Sequence, residues 1–272
     1  MSSQFKTKKN PFYWFNLFKY TVYGLLITNV IFFLYRDLGV VAHRFSNDMK
    51  WTELIDAFSN TIDTAAWVVL ILIFELETYI LSGKKIQSQL NWPLRIIRGI
   101  CYFFVCYAFY GYAVKYPWIM DFAKVDIGNI CELKGLSWMT EPDIFQKIDS
   151  ANCQKIGNEQ HLLQKNGESI YTDVAQWTTS FWLVFVDILN SGVWILVVIV
   201  LEIDIWLQRL GRFKGIIYQT SKFIKALLYT LLLGAAIYWG VQSSFLNFWD
   251  AFLWIVAFVF IESNLFGWQV AK

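Results

Sequence analysis

Apolar residues in this chain neither alternate at the two-residue period of a strand nor form a narrow helical stripe. They run in six long blocks, centred near residues 20–35, 60–82, 96–115, 181–207, 224–241 and 246–268. A helix rises about 1.5 Å per residue and needs roughly 20 largely apolar residues to cross a bilayer. The pattern therefore predicts an all-α polytopic membrane protein with six transmembrane helices. The first block is long and rich in Tyr and Phe, unlike the short apolar region of a signal peptide, and is read as an anchor. Residues 1–115 then hold an N-terminal tail and helices 1–3, residues 116–177 an outer loop of about 60 residues, and residues 178–272 helices 4–6.

Lys and Arg in the connections set the expected orientation. The N-terminal segment carries Lys6, Lys8, Lys9 and Lys19, the second connection Lys84, Lys85, Arg95 and Arg98, and the fourth Arg209, Arg212, Lys214, Lys222 and Lys225. These segments are assigned to the cytoplasm, and an even number of spans returns the C-terminus there. Residues 116–177 carry nine acids against five lysines, a net of −4, and are assigned outside. A bacterial inner membrane is the expected location, partly because the outer loop holds no Asn-x-Ser/Thr acceptor.

Composition narrows the classes further. At 57% hydrophobic, 19% aromatic and 16% charged, the chain is no soluble enzyme, nucleic-acid module or disordered tail. Cys131 and Cys153 both fall in the outer loop, where a disulfide would close about 23 residues and contribute ~3 kcal/mol on the chain-entropy estimate. Cys101 and Cys106 lie within the third apolar block without CxxC spacing, which suits packing. The two histidines, His43 and His161, fall in outer connections, so no intramembrane pair could ligate haem. No HExxH, GxSxG or Walker-type loop occurs. The expectation is a non-enzyme with no cofactor and no metal site.

The apolar blocks also repeat internally. Asp63, Trp67 and Glu75 stand at the same spacing as Asn190, Trp194 and Glu202, and as Asp250, Trp254 and Glu262: Asp/Asn-x3-Trp-x7-Glu, three times without a gap. A further polar residue follows each Glu by two places, as Glu77, Asp204 and Asn264. The odd-numbered blocks carry a different marker, a base four residues before a tyrosine: Lys19 with Tyr23, Arg98 with Tyr102, Lys225 with Tyr229. The chain thus reads as three helical hairpins, for which a pseudo-threefold bundle is the natural arrangement.

Eleven residues, about 16 Å of helix, separate the Asp/Asn from the Glu in each repeat, whereas the hydrocarbon is about 30 Å thick. At least one of these polar groups is expected below the interface, where such groups are costly and usually face a bundle interior. Two roles compete for the carboxylates. In one, Glu75, Glu202 and Glu262, with Asp63, Asp250 and Asn190, line a cation or proton pathway beneath a collar of Trp67, Trp194 and Trp254. In the other, Lys19, Arg98 and Lys225 with Tyr23, Tyr102 and Tyr229 tie the glutamates into a structural network. The leading function is cation or proton permeation. The alternative is a non-catalytic scaffold or accessory subunit whose acidic residues 116–177 dock an extracytoplasmic protein. Expected partners are the lipid bilayer and further copies of the chain or a larger membrane complex, with no nucleic acid.

Overall fold

A computed structural model describes residues 11–44, 58–76, 84–127, 129–142, 144–156, 162–242 and 245–270; the side chains of residues 11–15, 39–44, 59, 84–91, 209 and 260–270 are outside that description. Among these residues are six α-helices: α1 (Pro11–Arg44), α2 (Ser59–Glu75), α3 (Lys84–Met120), α4 (Val174–Arg209), α5 (Ile216–Val241) and α6 (Phe245–Val270). Four contain segments long and apolar enough to cross a membrane: Asn16–Leu38, Trp92–Met120, Val174–Gln208 and Ile216–Val241. Their outward faces are apolar, with Ile31 61%, Phe103 64% and Phe223 72% exposed. Side chains of this kind left uncovered in such numbers suit a lipid solvent and not water.

The all-α expectation fails between α3 and α4. Five short strands lie there: β1 (Phe122–Val125), β2 (Ser137–Glu141), β3 (Ile144–Lys147), β4 (Leu162–Lys165) and β5 (Ile170–Asp173). They form one mixed sheet in the order β1-β4-β5-β2-β3. Antiparallel pairs align Phe122 with Lys165, Leu162 with Asp173 and Ser137 with Lys147, while β2 and β5 run parallel with Trp138 opposite Tyr171. A backbone of 60 residues between two apolar helices still needs partners for its N–H and C=O groups, and a sheet supplies them where no helical period exists.

The chain divides into two compact units, residues 109–196 and residues 1–108 with 197–272. In the first, Ile130, Leu133, Trp138, Ile148, Leu162 and Tyr171 make a core on one side of the sheet. Cys131 and Cys153 are joined in a disulfide, their Cα atoms 5.0 Å apart. A second cluster of Ile119, Met139 and Val184, flanked by Trp118, Phe145 and Trp177, fastens the sheet to the facing ends of α3 and α4. The Trp177 indole donates to the Ile119 carbonyl at 2.8 Å, and the Gln176 amide group donates to the Thr140 carbonyl. Asp173 ends β5 and caps α4, accepting from the Gln176 backbone N–H at 2.7 Å.

In the second unit α1 packs against α2 and α6, and α5 against α6. The buried face of α1 runs through Lys19, Val22, Leu26, Asn29, Phe33 and Asp37 at three- and four-residue steps. Three members of that stripe are polar. Each needs a partner from another helix, and those partners define the site.

Candidate functional site

The first polar level lies near the start of α1. Lys19 is fully buried, and its Nζ is 2.5 Å from Glu75 Oε1 at the end of α2. The Tyr20 and Tyr23 hydroxyls donate to the same carboxylate at 3.3 and 3.5 Å. Residues 19 and 23 are one helical turn apart on one face, so the Lys-x3-Tyr spacing aims an ammonium and a phenol at one acid. The arrangement recurs between α3 and α4. The Tyr102 hydroxyl donates to Glu202 Oε1 at 2.9 Å, and Arg98 Nη1 stands 3.9 Å from that oxygen. The Glu202 side chain is 40% exposed against 13% for Glu75.

The third base is also close to an acid. Lys225 Nζ is 3.1 Å from Asp204 Oδ2, which also accepts from the Ser221 hydroxyl at 2.6 Å; all three residues are buried. Asp204 is the polar residue two places after Glu202. The side chains of Glu262 and Asn264 lie outside the described residues, as does Glu77.

The second level is ten residues further along α1. Asn29, 4% exposed, donates through Nδ2 to Asp250 Oδ1 of α6 at 2.9 Å. Asp63 of α2 stands one turn before Trp67 and Asp250 of α6 one turn before Trp254, and those two rings are in contact. The Trp67 indole hydrogen-bonds the Asp63 carboxylate and the Trp254 indole that of Asp250. Helical side chains lean toward the N-terminus, so a Trp four residues after an Asp reaches back over it. This gives the Asp-x3-Trp spacing its physical meaning. The two indoles meet edge to face with ring centroids 6.2 Å apart, and Phe258 closes on both at 6.0 and 6.5 Å. One oxygen stands out: Asp63 Oδ1 is shielded from solvent and accepts no hydrogen bond from a described residue.

At the third level, Asp37 accepts from the Thr61 backbone N–H at 3.2 Å and the Thr61 hydroxyl at 2.6 Å, satisfying the first turn of α2, and Arg36 Nε lies 3.9 Å away.

Of the residues singled out by sequence, Asp63, Asp250, Trp67 and Trp254 thus come together, and Glu75 and Glu202 each meet a base and a tyrosine. Asn190 and Trp194 belong to the unit of residues 109–196, where Asn190 Oδ1 is shielded without a hydrogen-bond partner among the described residues. Asn29, Asp37, Thr61 and Ser221 were not singled out; buried-face periodicity on α1 carries a signal for the first two. No group of three or more His, Cys, Asp or Glu among the described residues could hold a metal ion. No known family model matches the chain, and neither a curated protein nor a solved structure matches it.

In the sheet unit, Asp121 accepts from Lys165 Nζ at 2.5 Å and Asn166 Nδ2 at 2.7 Å. These hydrogen bonds, from Lys165 first and then Asn166, hold its carboxyl below the usual aspartate range. Lys165 itself is buried and lies 5.9 Å from the Trp118 ring centroid.

Proposed function

We propose that this chain is a six-span protein of a bacterial inner membrane, built as three helical hairpins, and that it carries a proton or another small cation through its helical unit. In this reading both termini are cytoplasmic, the sheet unit is outside, and α2 and α6 span together with the other four. The carrying observation is Asp63 Oδ1, shielded and without a hydrogen bond from any described residue, one turn before the Trp67 ring that packs on Trp254, itself one turn after Asp250. A polar group left unsatisfied among apolar helices costs several kcal/mol (about 2–7) and needs a compensating role.

The same consideration shifts the pathway away from the glutamates. Glu75 and Glu202 each stand beside a base, so their charge is already compensated. Asp63 and Asp250 form no ion pair with a described Lys or Arg, which leaves them as the acids able to take up a cation. The test is flux of H⁺, Na⁺, K⁺ and Ca²⁺ into vesicles holding the purified protein. Asp63→Asn or Asp250→Asn is expected to abolish flux without loss of folding, and Glu202→Gln to change it little. Absence of flux for every ion in the wild-type protein refutes the proposal.

A second reading, a membrane subunit that docks a partner outside, is favoured by one observation: residues 109–196 hold a folded sheet with its own core and a disulfide, more than a connection requires. Under that reading, replacing residues 122–173 by a short linker removes a co-purifying protein and leaves the helices folded.

A further inference from the structure

We propose that the turn between α4 and α5 is a binding site for anionic phospholipid, in which Arg212, Lys214 and Lys222 take the headgroup phosphates and the apolar flanks of the two helices meet the acyl chains. This requires the chain to lie in a bilayer and is independent of cation transport. Charge is the first argument. Between Asp204 and Asp250 the chain holds no acid and five bases, Arg209, Arg212, Lys214, Lys222 and Lys225. Lys225 faces Asp204, and Lys19, Arg36 and Arg98 of the same unit each stand near an acid as well. Arg212, Lys214 and Lys222 are exposed and form no ion pair with a described residue. Bases gathered in one segment with no acid to answer them make a local positive field that draws anions.

The turn holds two of these bases in a defined place. Gly211, at φ +67°, ends α4: its N–H donates to the Gln208 carbonyl at 2.9 Å, and the Arg212 N–H donates to the Leu207 carbonyl at 3.0 Å. That pair of bonds is the usual closure of a helix on a left-handed glycine. The Lys214 N–H then donates to the Arg212 carbonyl at 2.9 Å. Phe213 between them is buried, its ring edge to face with that of Tyr218 at 5.5 Å. Burying the middle side chain fixes the backbone and leaves Arg212 and Lys214 on the outside. Lys222 lies seven residues after Gly215, about two helical turns, and so falls on the face of α5 that begins at the turn.

Apolar exposure decides the kind of anion. It begins at the turn itself, with Trp206 and Leu210 on α4 and Ile216, 82% exposed, and Phe223 on α5. A soluble anion or an acidic protein segment gains nothing from large uncovered side chains around its ligands. A phospholipid presents phosphate and hydrocarbon side by side, and Lys or Arg at that level lays its stem along the apolar surface while its charge reaches the headgroups. Trp206 and Tyr218 stand where amphipathic rings favour the boundary between the two.

The experiment is native mass spectrometry of the full-length protein from detergent micelles titrated with phosphatidylglycerol or with phosphatidylcholine of the same acyl chains, reading the affinity of the lipid retained. The wild-type protein is expected to retain phosphatidylglycerol in preference. Arg212→Gln, Lys214→Gln and Lys222→Gln should each weaken it about fivefold, and the triple variant on the order of a hundredfold. These side chains are exposed and unpaired among the described residues, so the variants should melt with the wild type; the single variants carry the test if the triple one melts early. Lys124→Gln with Lys134→Gln and Lys147→Gln, three exposed bases of the sheet unit, should change nothing. Equal retention of the two lipids by the wild-type protein overturns the proposal, as do undiminished retention in the turn variants and an equal loss in the sheet variant, which would make net charge the cause. Release of the lipid by millimolar inorganic phosphate or by polyglutamate also overturns it, since either would mark a site for a soluble anion or an acidic protein.

Discussion

Glu75→Gln and Glu202→Gln are the same substitution at equivalent places in the repeat, and the structure predicts unequal consequences. Lys19 is completely buried and its partner is 13% exposed at 2.5 Å. At an effective dielectric of 20 the attraction at that distance is about 6–7 kcal/mol, much of it offset by desolvation of the two charges. Removing one partner leaves the buried ammonium without compensation, which costs ~3–5 kcal/mol in comparable pairs. For a chain of this size that corresponds to a fall in melting temperature of roughly 10 °C. Arg98 and Glu202 are 3.9 Å apart and the acid is 40% exposed, so the ion pair is worth at most about 1 kcal/mol, with a single Tyr102 hydrogen bond beside it. The assay is thermal unfolding in lipid nanodiscs followed by tryptophan fluorescence, with Lys19→Met/Glu75→Gln closing a double-mutant cycle. The double variant should recover most of the single-variant loss, because the stranded charge is gone. Equal shifts for Glu75→Gln and Glu202→Gln, or no recovery in the double variant, refute the argument.

Three further outcomes concern the sheet unit. Cys131→Ser with Cys153→Ser reopens the chain between them and should cost ~3 kcal/mol, read as faster proteolysis between residues 116 and 177. Asp121 is held below its ordinary range by Lys165 and Asn166. It therefore stabilises the fold above the unfolded value of about 3.9, and that contribution is lost as pH falls through the lower folded value. Hydrogen exchange at β1 and β4 should rise with acid less steeply in Asp121→Asn than in wild type, and coincident pH profiles would reject the assignment. Gly167 stands at φ +75° with open space around its Cα, so Gly167→Ala should cost about 1–2 kcal/mol through backbone strain alone and Gly167→Asn less, measured by the same exchange experiment.

The helices were legible because their signal is long: blocks of some 20 apolar residues leave little room for another reading. The sheet was not, because each strand holds only four or five residues, too few for alternation to rise above chance. One local signal was present. Four residues, Asn166 to Ser169, separate β4 from β5, and the Asn-Gly pair that opens them is a turn signal, with Gly167 at a positive φ. The parallel pairing of β2 with β5 had no such marker, since it joins segments more than 30 residues apart by geometry alone.

In the site, spacing was informative only where the physics is local. A step of four residues places a tryptophan over an aspartate or a lysine beside a tyrosine on one helix, and such steps can be read directly from sequence. Which helix then supplies the partner cannot. Asn29 reaches Asp250 across 221 positions and Lys19 reaches Glu75 across 56, and both contacts are set by packing. That difference separates two kinds of carboxylate that the repeat makes look alike. Glu75 and Glu202 stand opposite a base, so their charge is compensated where they sit. Asp63 and Asp250 have no described base beside them, and Asp250 has the Asn29 amide in its place. On that difference rests the proposal that the aspartates, and not these two glutamates, take up a cation.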